Sequence, residues 1–195
     1  MTKNAGTNEA WRESVAAYLA TLNPSTADQY RVALDDFSVW YGHTYGETPD
    51  PERLTDEEAR EWRGYLSGVK NYAASTVNVR LSALRGLARY CGGTIEVQGL
   101  QKVQAPVDPL TGRELGRLAA VVRGHRWGPQ WLALRNSAMV AIMARAGLRV
   151  SEVVALDLGD VEINARSCRA TIRQGKGLKE REVPLALQVR KRLQA

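Results

Sequence analysis

Two short motifs in the last third of the chain carry residue types suited to phosphoryl-transfer chemistry. The first is Ala146-Gly147-Leu148-Arg149-Val150-Ser151-Glu152, and the second is Gly175-Lys176-Gly177-Leu178-Lys179-Glu180-Arg181-Glu182-Val183-Pro184-Leu185. Charge builds on nonbridging oxygens as a phosphoryl group transfers, and a guanidinium can hold two of them at once without losing its proton. A lysine on a glycine-flanked turn can reach into a groove and give a proton to a departing oxygen if its neighbours lower its pKa. A glutamate three residues after an arginine lies one helical turn away and can fix its orientation. Each pattern has a plainer reading when taken singly. An Arg/Glu pair at that spacing is commonly a solvated ion pair, and Gly-Lys-Gly is commonly only a hairpin turn. Together, with an apolar helix before and an alternating strand after, they read as half of a phosphoryl-transfer site.

The elements that must position these residues follow from periodicity. Leu115, Leu118, Ala119 and Val122 make one apolar face of a helix opened by the capping box Thr111-Gly112-Arg113-Glu114. A longer helix follows from about Trp131, and its stretch 138–144 is apolar all round, as expected of a helix buried at a domain centre. Gly147 ends it, and a short helix spans about Val150 to Leu156 before a turn at 157–160. The period then shifts toward two. Cys168, Ala170 and Ile172 alternate with Arg169, Thr171 and Arg173, and Val183 and Leu185 alternate beyond the Gly175-Lys176-Gly177 turn, which predicts a β-hairpin or small sheet edge. Residues 186–194 resume as a basic helix.

The first part of the chain predicts four helices. Trp11, Val15, Tyr18 and Leu19 stripe a helix over 9–22, stopped at Asn23-Pro24 because the residue before proline avoids the α region. Ser25-Thr26 caps a second, with Tyr30, Ala33, Leu34, Phe37, Trp40 and Tyr41 on one face up to Gly42. Thr55-Asp56-Glu57-Glu58 has capping-box spacing and starts a third, through about Ser67. Ser75-Thr76 opens the fourth, running to Cys91 and stopped by Gly92-Gly93. On it Val77, Leu81, Leu84, Ala88 and Cys91 form the packing stripe, while Asn78, Ser82, Arg85 and Arg89 lie about 100° away, on a flank that can face phosphate or simply solvent. Residues 93–109 show no helical stripe and contain glycine and proline, so they read as a linker.

Charge changes sign at that linker. Residues 1–108 hold 11 Lys/Arg against 14 Asp/Glu, whereas 109–195 hold 16 against 7, within a net charge of +6 for the 195 residues. A basic half of that density attracts polyanions, nucleic acid foremost. With 44% hydrophobic residues the chain can bury a sizeable core. No apolar run approaches the roughly 20 residues of a membrane span, and the N-terminus has no signal-peptide core, so a cytoplasmic location is expected. Cys91 and Cys168 lie far apart and read as core residues rather than a disulfide or zinc site; His43 and His125 are equally isolated. No metal and no small-molecule cofactor is expected.

The two motifs resemble those of the tyrosine recombinase family, the Xer-type and phage integrase enzymes. The N-terminal helices are similar to that family's core-binding domain: Ser25-Thr26, Tyr30, Leu34, Phe37 and Trp40 match its second helix, and Ser75-Thr76, Arg80, Leu81, Leu84 and Tyr90 its fourth. The resemblance implies a mainly α fold. It consists of a four-helix SAM-like core-binding domain over 8–92, a linker over 93–109, and over 110–195 the N-terminal half of an α+β catalytic domain with a small β-hairpin. It also implies attack of a tyrosine hydroxyl on a DNA phosphodiester, giving a 3′-phosphotyrosine and a free 5′-hydroxyl. In that scheme Arg149 is the first arginine of the site, Lys176 the hairpin lysine and Glu152 the acidic support. Ser75, Thr76, Arg80, Arg85, Arg89, Lys179 and Arg181 are expected at duplex DNA, around which the family's two domains form a clamp, with other recombinase protomers as further partners.

One departure limits the implied activity. The family's His/Lys-x-x-Arg motif, a further His or Trp, and the nucleophilic tyrosine should all follow the hairpin. All seven tyrosines (Tyr18, Tyr30, Tyr41, Tyr45, Tyr65, Tyr72, Tyr90) precede it. The chain is therefore expected to be a truncated recombinase that binds DNA without cutting it, with the apolar stretch 138–144 left partly uncovered. The competing expectations are a non-enzymatic DNA-binding regulator or partner of a full-length recombinase, and a helical interaction protein with no nucleic-acid role.

Overall fold

The computed structural model describes residues 3–102, 106, 108–125, 128–164, 167–173 and 180–193. The chain divides into two units, Met1–Pro106 and Val107–Ala195.

The first unit is helical: α1 (Lys3–Ala20), α2 (Pro24–Tyr45), α3 (Asp56–Gly64), extended by a π-helical turn at Tyr65–Val69, and α4 (Ala74–Tyr90). Its core gathers the stripes read from the sequence. Leu34, Phe37, Trp62, Leu66, Leu81, Leu84 and Leu87 are almost wholly buried, and Trp62 meets the Phe37 ring edge-on at 5.0 Å between centroids. The Thr55/Glu58 capping box forms as expected, with Thr55 N–H donating to Glu58 Oε2 at 2.7 Å. Two other starts differ from expectation. Asn23, not Ser25-Thr26, caps α2: its Oδ1 accepts from Thr26 N–H at 3.0 Å, and Pro24 takes the first helical position, where its missing N–H costs nothing. α4 begins without a side-chain cap, from Ala73, so Ser75 and Thr76 lie inside its first turn.

Residues 94–100, expected as part of the linker, form an extended strap packed on this unit. Ile95 and Val97 enter the core. Backbone groups beside them are taken up by side chains of α3 and α4: from α3, Asp56 Oδ1 accepts from Glu96 N–H at 2.8 Å and Arg63 Nη1 donates to Gln98 O at 2.7 Å. Arg85 Nη2 donates to Val97 O. A segment without helical period can still bury its apolar residues when neighbouring side chains satisfy its polar backbone.

The second unit contains α5 (Gly112–Gly124), α6 (Gln130–Ala146), α7 (Val150–Val154), a 3-10 turn at Leu158–Asp160, β1 (Val161–Ile163), β2 (Cys168–Ile172), β3 (Arg181–Pro184) and α8 (Leu187–Leu193). The Thr111/Glu114 capping box opens α5 as expected. The strands make an antiparallel sheet in the order β1-β2-β3, with Val161 opposite Ala170 and Ala170 opposite Val183. The hairpin was legible in the alternation of Cys168, Ala170 and Ile172, all buried; β1, three residues long, was not. Ile142, Leu148, Val153, Leu185 and Val189 complete the core.

The stretch 138–144 of α6 is not enclosed on all sides. Ile142 alone in it is buried, while Met139, Ala141 and Met143 are half-buried against the core. An apolar groove of about 880 Å³ runs along one side of α6, lined by Leu134, Met139, Ile142, Leu158, Val161 and Leu193; a second of about 470 Å³ lies between α5 and α6. All-round hydrophobicity marks a helix that can be covered on every side, and the described residues of this unit cover only part of it. Among the described residues, no helix is long and apolar enough to cross a membrane, and no group of His, Cys, Asp or Glu could hold a metal ion.

Candidate nucleic-acid interface

Gly147 ends α6 in the left-handed conformation at φ 67°, a position glycine occupies without a Cβ penalty. The next residue, Leu148, is buried, so the chain is anchored immediately before Arg149, which sits at the N-cap of α7. Glu152 lies one turn on. Its carboxylate is almost completely removed from solvent, its side chain 3% exposed, whereas the Arg149 side chain is 63% exposed.

Four donors saturate that carboxylate. Oε1 accepts from Arg149 Nη1 at 2.9 Å and from Arg181 Nη1 at 3.1 Å; Oε2 accepts from the Arg149 backbone N–H and from Arg181 Nη2, both at 2.9 Å. The Arg181 bonds and then the Arg149 backbone bond hold the Glu152 carboxyl down at about 2, against a usual 4.5. The same bond raises the pKa of Arg181. Glu152 is thus ionised at any physiological pH and bonds Arg149 directly through both its backbone N–H and its Nη1.

Arg181 stands at the start of β3, opposite Ile172 across the ladder. Expected at DNA, it directs both Nη atoms to Glu152, with its side chain 40% exposed. A second buried carboxylate lies near the other leg of the hairpin. Asp160, side chain 5% exposed, accepts from Asp157 N–H at 3.0 Å and meets Arg173 Nε at 2.6 Å, an ionic contact outside hydrogen-bond alignment. Sequence reading missed both roles. The available signal was limited to arginines at 173 and 181, on either side of Gly175-Lys176-Gly177 in the sequence. Lys176 and Lys179 lie outside the described residues.

Two of the α4 arginines expected at DNA make contacts within their own unit. Arg80 donates through Nη2 to Asp36 Oδ2 at 2.8 Å, with its guanidinium 4.6 Å from the Tyr72 ring centre and its side chain only 15% exposed. Arg85 is half-buried and bonded to the strap. Ser75 and Arg89 are exposed and Thr76 is half-buried.

Residues 109–195 match the phage integrase family, and residues 9–93 match the phage integrase N-terminal SAM-like domain. The chain belongs to the tyrosine recombinase family. It is 27% identical over 197 residues to tyrosine recombinase XerC of Brucella suis, a match covering 96% of this chain and 61% of the relative. It is 31% identical over 180 residues to tyrosine recombinase XerD of Bradyrhizobium diazoefficiens, covering 83% and 53%. The chain thus spans between half and two thirds of the length of these relatives. The fold is similar to that of a XerH site-specific recombinase in a post-cleavage complex with its palindromic difH substrate. For that pair the TM-score is 0.63 and the identity 18%, covering 86% of this chain and 50% of that one. It is also similar to the Tn1549 transposon integrase in complex with a circular intermediate DNA, with TM-score 0.60 and 15% identity, covering 92% and 63%.

Proposed function

We propose that these 195 residues of a tyrosine recombinase grip duplex DNA through its phosphates and do not cleave it by themselves. The observation that carries this reading is the Arg149–Glu152 pair: a buried, fully bonded carboxylate holds an arginine whose guanidinium remains open to solvent. Such a group suits a phosphodiester oxygen better than a packing role. The net excess of nine basic residues over 109–195 supports the same partner, as does the similarity to recombinases bound to their DNA substrates.

In this reading residues 8–92 are a DNA-binding domain and residues 110–195 the first half of a catalytic domain. Arg149 holds the phosphate, Lys176 supplies a proton to the departing 5′-oxygen when a complete site is assembled, and Ser75, Thr76, Arg89 and Lys179 contact the backbone. The working compartment is the cytoplasm. The absence of cleavage follows from the tyrosines. All seven lie in residues 18–90, none after Arg149. The hydroxyls of Tyr41 and Tyr45 donate to Glu58 and Glu61, and burial first, then those bonds, raises the pKa of both, the opposite of what activates a nucleophile.

Two measurements test the reading. Fluorescence anisotropy with a labelled mixed-sequence duplex should show affinity that falls steeply between low and moderate salt; salt-insensitive or absent binding overturns it. A nicked suicide duplex run on a denaturing gel should show no covalent protein–DNA adduct.

A further inference from the structure

We infer that Arg181 is a positioning residue: it neutralises Glu152 so that Arg149 can be held by that carboxylate and still present a whole positive charge to phosphate. This rests on the reading that Arg149 faces a DNA phosphate. Glu152 and Arg149 alone would form a self-cancelling ion pair, oriented but with little field left for an incoming anion. The third member changes the balance. Two guanidiniums around one ionised carboxylate leave one net positive charge, and the exposures place it on the Arg149 side. Arg149 is the more open of the two, at 63% against 40% for Arg181.

The geometry divides the labour in the same way. Arg181 uses both Nη atoms on Glu152 as a bidentate fork, whereas Arg149 gives its backbone N–H and a single Nη1. The remaining donors of Arg149, Nε and Nη2, have no partner among the described residues. Arg181 comes from β3 and Glu152 from α7, so the same bonds tie the sheet to the helix that presents Arg149. A lysine at 181 would keep the charge but not the fork.

The test is a set of anisotropy titrations with the full chain and one mixed-sequence duplex at fixed salt. Each variant's fold is checked by circular dichroism and thermal melting. Arg149→Ala and Arg181→Ala should each weaken binding by roughly tenfold. The double variant should be weaker than Arg149→Ala alone, because it leaves the Glu152 carboxylate uncompensated, and Glu152→Gln placed on the double variant should bring it back to about the level of Arg149→Ala. Arg181→Lys should fall between the wild type and Arg181→Ala. Glu152→Gln placed on Arg181→Ala should restore most of the lost affinity, since it removes the uncompensated carboxylate; a merely structural role predicts further loss. No rescue of Arg181→Ala by Glu152→Gln overturns the proposal while leaving DNA binding intact. Failure of the wild type to bind in a salt-sensitive way is a separate result, which removes the DNA reading and this proposal with it.

Discussion

Asn78 and Leu100 are joined by a reciprocal pair of hydrogen bonds: Asn78 Oδ1 accepts from Leu100 N–H at 2.7 Å, and Asn78 Nδ2 donates to Leu100 O at 2.9 Å. An amide side chain on α4 thereby stands in for a neighbouring strand and closes the strap of residues 94–100 onto the helical unit. Gly99 is part of the arrangement, because a Cβ there would lie 2.5 Å from Asn78 Oδ1. Asn78→Ala should cost about 1–3 kcal/mol, the penalty for leaving partly buried backbone groups unpaired. Gly99→Ala should act in the same direction. Hydrogen exchange provides the check: the Leu100 amide should lose protection in both variants, while amides in the middle of α2 keep theirs unless the unit as a whole unfolds.

A second close approach lies between α1 and α4. A Cβ on Gly86 would sit 1.8 Å from the Tyr18 hydroxyl oxygen and 2.7 Å from Cζ, and Tyr18 is itself buried. The ring packs 5.8 Å from Tyr90 and 6.4 Å from Tyr30, so it has little room to withdraw. Gly86→Ala gains helix propensity but should destabilise the first unit by about 1–3 kcal/mol through overpacking. Urea unfolding followed by tryptophan fluorescence measures it. Combining Gly86→Ala with Tyr18→Leu should recover part of the loss, and an unchanged midpoint in Gly86→Ala alone would mean the ring moves freely.

Much of this fold is local in origin, and those parts were legible. The Thr55/Glu58 and Thr111/Glu114 capping boxes need only residues three apart, and the buried alternation of Cys168, Ala170 and Ile172 needs only one strand. What escaped depends on partners distant in sequence. Arg80 and Arg85 share a helix with Arg89, and a helical wheel cannot show that Asp36 lies 44 residues away beside one or that the strap covers another. The same holds at the candidate site. The i, i+3 relation of Arg149 and Glu152 was visible, but the carboxylate's principal partner, Arg181, arrives from 29 residues downstream.

The acid response of the second unit should report Glu152. Its folded pKa of about 2 lies below the usual 4.5, so it contributes stability that is present in full above pH 4.5. That contribution is lost as pH falls from about 4.5 toward 2, because the unfolded state takes up the proton first. Urea midpoints of the wild type should therefore decline through this window. Glu152→Gln should be less stable at neutral pH and show a shallower decline, so that the two curves converge near pH 2. Parallel curves would mean that another carboxylate governs the acid transition.

Arg80 and Arg89 lie on one helix, and their different surroundings assign them different losses. Arg80 is enclosed: its charge meets Asp36 and its plane lies over Tyr72, so truncation removes a charge-assisted hydrogen bond and a cation–π contact together. Arg80→Ala should lower the stability of the first unit by about 1–3 kcal/mol, and its DNA affinity at a temperature where it remains folded should stay near wild type. Arg89 is exposed near the C-terminal end of α4, where a cation is favoured only slightly by the helix dipole. Arg89→Ala should leave the melting temperature almost unchanged, weaken DNA binding and reduce the slope of log affinity against log salt by about one. Melting curves and salt titrations on the two variants separate the roles, and the reverse pattern, with Arg80→Ala changing the salt slope and Arg89→Ala changing the melt, would place the DNA on the face that Asp36 and Tyr72 now occupy.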